Sequence, residues 1–349
     1  MSAVRWDRYP LVAAMPLGRT WLKIQGDLGL SPNTVEAYAR GLEDYLRSLA
    51  TSNINPLIAT RAHIALYVGE LRSRPGPRGD NARRLDSGAG LANATLQQRL
   101  TAVRLFYDFL VEEGVRADNP VGRGRYTPGR CYGGQRARGL VPRHRKLPWI
   151  PTDEEWRAIL QAASGEPLRN RVMLALQYDA ALRREELCSL RSGDVDPAHR
   201  LVTVRAETTK NRQERVVPYS EATGELFGAY LRERRRICAL GPGPLFVSES
   251  RRNRGQPISI WTWSKVIEGI ARRSGVHRFS THTPRHLCLT DLARAGWDIH
   301  EIARFAGHRS TDSTLAYIHL SGRDLAEKLG RTMAQVHAWG AQAAMEPSE

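Results

Sequence analysis

The chain has 349 residues, 41% of them apolar, and 52 Lys and Arg against 36 Asp and Glu, a formal net charge of +16. That length allows two buried cores, and the positive excess points to a polyanionic partner, of which nucleic acid is the commonest. No apolar run approaches the roughly 18 residues of a membrane span, and the stretch from Leu11 to Leu17, broken by Pro16, does not read as a signal peptide, so a cytoplasmic chain is expected. Cys131, Cys188, Cys238 and Cys288 lie too far apart for a C-x-x-C zinc site or a disulfide framework, which fits a reducing compartment.

Residues 14–118 read as all-helical. Ser31-Pro32 opens a helix with Val35, Tyr38, Leu42, Tyr45 and Leu49 on one face. A second helix follows Asn93, with Leu96, Leu100, Val103, Tyr107 and Leu110 aligned and Gly114 as its stop. Residues 73–90, rich in Gly, Pro, Arg and Asp, predict an exposed loop. Residues 121–150 hold Arg123, Arg125, Arg130, Arg136, Arg138, Arg143, Arg145 and Lys146 with no acid, half of the net +16. Such a segment is either a self-repelling linker or one that crosses a DNA duplex and touches phosphates.

A second domain is predicted from Pro151. Thr152 and Glu155 have capping-box spacing, and Trp156, Ile159, Leu160 and Ala163 supply an apolar stripe. Helices are expected to continue to about Leu190, followed by short strands at 201–205 and 215–218 forming a hairpin. Helices return from about Ile260, one of them running from Pro284 to Ala295 and ending at Gly296. The fold class expected is mainly α with a small antiparallel β-sheet. Residues 325–339 add a helical stripe of Leu325, Leu329, Met333, Val336 and Trp339, fit to pack on its own domain or on another protomer.

The reactive groups of the second domain form an ordered set. Arg183 sits in Ala-Leu-Arg-Arg-Glu-Glu-Leu, Lys210 in the hairpin turn, and His282 and Arg285 in His-Thr-Pro-Arg-His. His308 follows Gly307, and Tyr317 lies nine positions later. Each alone is unremarkable; a single surface Arg is usually a solvated ion pair, and a single Tyr a packed aromatic. In this order and spacing the chain resembles the tyrosine recombinases of the phage integrase family, strongly over 155–320 and more loosely over the N-terminal helices. Arg183 with Glu186 matches R-x-x-E-L, Lys210 precedes Glu214-Arg215-Val216-Val217-Pro218 as in the family's K-x-x-K-E-R-x-x-P hairpin, and 282–286 matches H-x-L-R-H except at Pro284. Ala181 stands where the family commonly has Gly and would be strained if that backbone needed a positive φ.

The resemblance implies a helical core-binding, SAM-like DNA-binding domain at 1–120, a basic interdomain linker at 121–150, a catalytic domain at 151–330 and a C-terminal helix or tail at 331–349. It implies double-stranded DNA as substrate, a homotetramer on DNA, accessory recombination proteins as further partners, and no metal, cofactor or membrane. Arg183 and Arg285 would grip the scissile phosphate with paired N–H donors. Tyr317 would attack it, with His282 the favoured proton acceptor, Lys210 protonating the leaving 5′-oxygen and His308 donating a hydrogen bond. The phosphotyrosine ester would keep the bond energy, so a 5′-hydroxyl from another duplex can reverse the step without ATP. Glu186 is expected in a structural ion pair, Cys288 in the core, and His286 and His319 as structural or DNA-contacting residues. A type IB topoisomerase would use similar chemistry on one duplex. A catalytically silent DNA-binding protein would lack one of the reactive groups, and a metal-dependent nuclease would want clustered acids. Phage integration, transposition, integron-like capture and chromosome-dimer resolution all run on this chemistry.

Overall fold

The computed structural model describes residues 4–74, 91–122, 140–141, 147–209, 211–237, 242–318, 329–334 and 336–337. The chain divides into two units, Met1–Arg145 and Lys146–Glu349. The expected loop at 73–90 lies outside the described residues from position 75, and the eight basic residues of the linker also lie outside them.

The first unit is built from α1 (Pro10–Ala14), α2 (Pro16–Asp27), α3 (Pro32–Thr51), α4 (Arg61–Ser73) and α5 (Asn93–Glu112). Helix α3 begins where the sequence signals it, with the Thr34 amide donating to Ser31 Oγ at 3.2 Å. Val35, Leu42, Tyr45 and Leu49 are buried, and Tyr38 stacks on Trp21 at 5.8 Å. Helix α5 buries its five aligned residues. It presses against α3 at Gly41, where a Cβ would stand 2.8 Å from that of Ala102. The core's buried hydroxyls are satisfied: Tyr45 and Tyr107 lie 2.8 Å apart, and Tyr107 also donates to the Pro56 carbonyl.

The second unit runs α6 (Asp153–Ser164), α7 (Leu168–Asp179), α8 (Arg184–Cys188), β1 (Val195–Asp196), β2 (Leu201–Val204), β3 (Arg215–Pro218), α9 (Glu221–Arg234), α10 (Ile260–Arg273), α11 (Thr283–Arg294), α12 (Ile299–Ala306) and α13 (Asp312–Ile318). The capping box forms, with Glu155 N donating to Thr152 Oγ1 and Thr152 N to Glu155 Oε2. Ile159 and Ala163 are buried, but Leu160 turns to solvent. The hairpin pairs Val202 with Val217 and Val204 with Arg215, which buries Val202, Val204 and Val217 on one face. Two elements exceed the expectation. Strand β1 pairs with β2, and at two residues it is too short for alternation to reveal. Helix α9 fills the stretch before Ile260; its buried Thr223, Phe227, Tyr230 and Arg234 follow helical spacing, but Gly224 and Gly228 weaken the local signal. The main core includes Leu182, Tyr230, Phe246 and Trp263, and a smaller cluster gathers Ala181, Cys288, Leu289, Ile302, Ala306 and Tyr317.

Candidate active site

Helix α7 ends in a tight reversal. The Ala181 amide donates to the Tyr178 carbonyl and that of Leu182 to the Gln177 carbonyl, which holds Ala181 at φ 45. This is the left-handed conformation glycine favours, so alanine carries strain here of about 1–2 kcal/mol. The reversal delivers Arg183 to the start of α8. Buried Gln177 fastens the turn, donating to the Thr281 carbonyl at 2.7 Å and more weakly to that of Leu182, while accepting from the Trp263 indole at 3.0 Å. One amide thus ties the backbone beside Arg183 to the backbone beside His282.

Glu186, 1% exposed, organises the cations. Its Oε1 accepts from Arg183 Nη1 at 2.7 Å, and both its oxygens accept from Arg215 on β3, at 3.1 and 2.7 Å. Burial pushes its pKa up, but the Arg215 hydrogen bonds and charge and the Arg183 contacts outweigh this and hold it at about 2. Arg215 Nε donates to the Phe305 carbonyl, and Arg183 Nη2 and Asn211 Nδ2 converge on the Gly307 carbonyl at 3.3 and 3.1 Å. Gly307 has φ +61, and a Cβ there would lie 3.1 Å from Arg215 Cδ, so both conformation and space call for glycine.

Arg285, 4% exposed, is bound differently. Its Nη1 donates to the Ala181 carbonyl, while Nη2 donates to the Ala306 carbonyl at 2.6 Å and faces His308 Nε2 at 3.0 Å. Among the described residues no carboxylate pairs with it. Burial, followed by the Arg183 charge, lowers its pKa to about 9. Pro284 sits in the first turn of α11, where its missing N–H is harmless, so it does not displace Arg285.

Tyr317 on α13 is 6% exposed and lies between two imidazoles. The His308 ring stacks on it at 6.1 Å and 9°, and the His286 ring lies 5.7 Å away. Its hydroxyl is 2.8 Å from His286 Nδ1. Burial raises the Tyr317 pKa above 10.0, against the lowering pull of Arg285 and Arg183. His308 has both nitrogens engaged: with Arg285 donating into Nε2, Nδ1 carries the proton and donates to Thr314 Oγ1 at 2.9 Å. Burial and then the nearby arginines bring its pKa to about 3. His282 is exposed, its ring 6.2 Å from that of His286; desolvation of its inner side lowers its pKa, with Glu185 opposing and Arg184, Arg285 and Arg183 adding to the fall.

Of the six residues singled out by the motif, the structure gathers Arg183, Arg285, His308 and Tyr317, sets His282 at the rim, and leaves Lys210 outside the described residues. Glu186 forms the expected ion pair, and Cys288 is buried in the small cluster. Sequence reasoning missed Arg215, although it lies in the quoted hairpin motif, and gave His286 no contact with Tyr317. His319, Leu325 and Trp339 also lie outside the described residues. Among the described residues no group of three or more His, Cys, Asp or Glu side chains is placed to hold a metal ion, and no helix is long and apolar enough to cross a membrane.

Fold and site define a class: a helical unit followed by a mainly helical unit whose arginines gather beside a buried tyrosine. Residues 151–323 match the phage integrase family and residues 21–114 the family's N-terminal SAM-like domain. A tyrosine recombinase XerC of Xylella fastidiosa is 30% identical over 301 residues, which cover 84% of this chain and 87% of that protein. The XerC of Thermodesulfovibrio yellowstonii is 29% identical over 310 residues, 86% of this chain and 89% of that protein. The crystal structure of the XerH site-specific recombinase in a post-cleavage complex with palindromic difH substrate shares the fold, with a TM-score of 0.64 at 18% identity over 90% of this chain and 83% of that one. The chain belongs to the phage integrase family of tyrosine recombinases.

Proposed function

We propose that this recombinase cleaves and rejoins double-stranded DNA at specific sites through a 3′-phosphotyrosine formed on Tyr317. The carrying observation is Arg285: a guanidinium buried beside Tyr317, held by backbone carbonyls and one imidazole. A phosphodiester oxygen supplies the negative partner such a cation calls for. Arg183, steered by Glu186 and Gly307, offers the second fork of donors. An incoming phosphate competes with His308 Nε2 for the Arg285 donor; once protonated against that anion, Nε2 donates to the phosphate. Lys210, in the turn between β2 and β3, is assigned the protonation of the 5′-oxygen, a task suited to a cation on a flexible stem.

The basic segment 121–150 is read as the phosphate-contacting connection between a core-binding domain (1–120) and the catalytic domain (151–330), all acting in the cytoplasm. Assembly as a tetramer on DNA, with accessory proteins as further partners, is supported by the C-terminal helical residues: Leu329, Met333 and Val336 are 61%, 39% and 51% exposed, a stripe open to a neighbouring protomer.

A nicked suicide duplex from the flanks of the native gene tests the assignment. In EDTA the wild-type protein should form a covalent protein–DNA band and Tyr317→Phe should form none. Absence of any adduct on DNA that the protein binds would favour a silent binding protein, and relaxation of plasmids lacking target sites would favour a topoisomerase.

A further inference from the structure

The proton on Tyr317 must leave as the ester forms, and the sequence motif directs attention to His282. The geometry points elsewhere: we propose that His286 Nδ1 is the proton acceptor for Tyr317, an inference that rests on Tyr317 being the nucleophile. Among the described residues, His286 is the only side chain hydrogen-bonded to the Tyr317 hydroxyl, at 2.8 Å. His308 is set aside by its own contacts: Nε2 faces Arg285, Nδ1 faces Thr314, and among the described residues neither nitrogen is bonded to the Tyr317 hydroxyl. His282, at the N-cap of α11, lies one helical turn from His286, its ring 6.2 Å away and tilted by 41°, with no hydrogen bond to the Tyr317 hydroxyl.

The groups around His286 explain when it would act. His282 and Arg285 face it from its own helix, Tyr317 from α13 and His308 from the segment after α12; Asp291, further along α11, is bonded to Tyr178 of α7. In the free protein, burial first and then the charges of His282 and Arg285 hold the His286 pKa at about 4, so the imidazole is neutral and accepts the tyrosyl O–H without removing the proton. The nucleophile is thereby oriented and kept unreactive. A phosphodiester seated on Arg285 and Arg183 cancels the positive field, so proton affinity at Nδ1 rises when substrate is present. The Tyr317 Oη–phosphorus bond then forms as the O–H proton passes to Nδ1. The phosphorus–O5′ bond breaks, and the 5′-oxygen takes its proton from the general acid. Rejoining reverses each transfer, the phenolate recovering its proton from His286.

Single-turnover cleavage of the suicide substrate at saturating DNA tests this with His286→Ala and His286→Asn. The Asn side chain keeps a hydrogen-bond acceptor near the position of Nδ1 but cannot take up a proton. Both variants should bind DNA with wild-type affinity and cleave about 100-fold more slowly, the lower end of the range for general base catalysis. Both should lose the acid limb of the pH–rate profile, and added imidazole should restore part of the rate to His286→Ala. Wild-type cleavage by His286→Asn, or an unchanged pH profile in both variants, would overturn the proposal while leaving Tyr317 in place. Retained DNA affinity in His286→Asn guards against reading a folding defect as a catalytic one. An adduct that persists in Tyr317→Phe would instead remove the tyrosine assignment, and this inference with it.

Discussion

Each unit contains a partly or fully buried carboxylate shared by two arginines, Asp44 in the first and Glu186 in the second, and the two clusters serve different ends. In the N-terminal unit Asp44 accepts from Arg74 and Arg99 and from the Tyr67 hydroxyl, with Asp44, Arg74 and Arg99 side chains 15%, 27% and 23% exposed. In the catalytic unit Glu186 accepts from Arg183 and Arg215, but Glu186 and Arg215 are only 1% and 8% exposed, and a third arginine, Arg285, lies beside them with no carboxylate partner among the described residues. With Glu70 as a second partner of Arg74, the first cluster is balanced and partly exposed, a brace near the surface. The second is desolvated and left positive. Stability alone would not favour that arrangement, because buried charge is costly unless paired; the proposed scissile phosphate would supply the missing partner.

Breaking each cluster sharpens the contrast. Glu186→Gln strands the buried Arg215 guanidinium and should cost about 3–5 kcal/mol, as loss of one partner of a buried pair typically does. Asp44→Asn should cost less, about 1 kcal/mol, because Arg74 and Arg99 can turn to water and the Asn oxygen can still accept from Tyr67. Urea unfolding of both variants measures the difference, and equal losses would show that the clusters are alike.

Acid separates the units next. In the catalytic unit His286 and His308 are held at about 4 and about 3, below the usual 6.5, in both cases chiefly by burial. The unfolded chain therefore takes up protons first, and stability present above pH 6.5 is lost as pH falls toward 3. Glu186, held at about 2, adds a further loss below about pH 4.5. In the N-terminal unit, burial pushes Glu36 and Glu70 up, but hydrogen bonds from Tyr9 and Ser48 and the neighbouring arginines hold both below 4.5, so their loss begins only in the carboxylate range. Hydrogen exchange followed from pH 7 to 5 should show α11 and α13 losing protection while α3 and α5 keep theirs.

Backbone substitutions give effects smaller than the loss of Glu186. Gly41→Ala drives a methyl into Ala102 between α3 and α5 and should cost about 1–3 kcal/mol, the usual range for overpacking. Ala181→Gly relieves a left-handed residue but removes a buried methyl, worth about 0.8 kcal/mol, so thermal unfolding should move by no more than a degree or two.

Local chemistry made much of this legible in the sequence. Ser31 and Thr152 announced their helices because a cap needs only neighbours three residues away, and the paired strands announced themselves as short apolar runs around a polar turn. Arg183, Arg285, His308 and Tyr317 could be grouped from the sequence because order and spacing survive in one dimension, and the family's glycine position at Ala181 flagged a positive φ. The hidden parts depend on distance along the chain. Arg215 reaches Glu186 across 29 positions, and His286 meets Tyr317 across 31, so neither pairing has a local signature. Helix α9 was missed because its two glycines and a threonine offset its apolar spacing.

The most direct test is to map the covalent bond. Adduct trapped in EDTA on a suicide duplex would be digested with nuclease and trypsin, and the nucleotide-bearing peptide sequenced by mass spectrometry. A nucleotide on Tyr317, carried through its 3′-phosphate, is the predicted result. Attachment to any other of the 11 tyrosines, or through a 5′-phosphate, would contradict the assignment of the pocket as the site of strand cleavage.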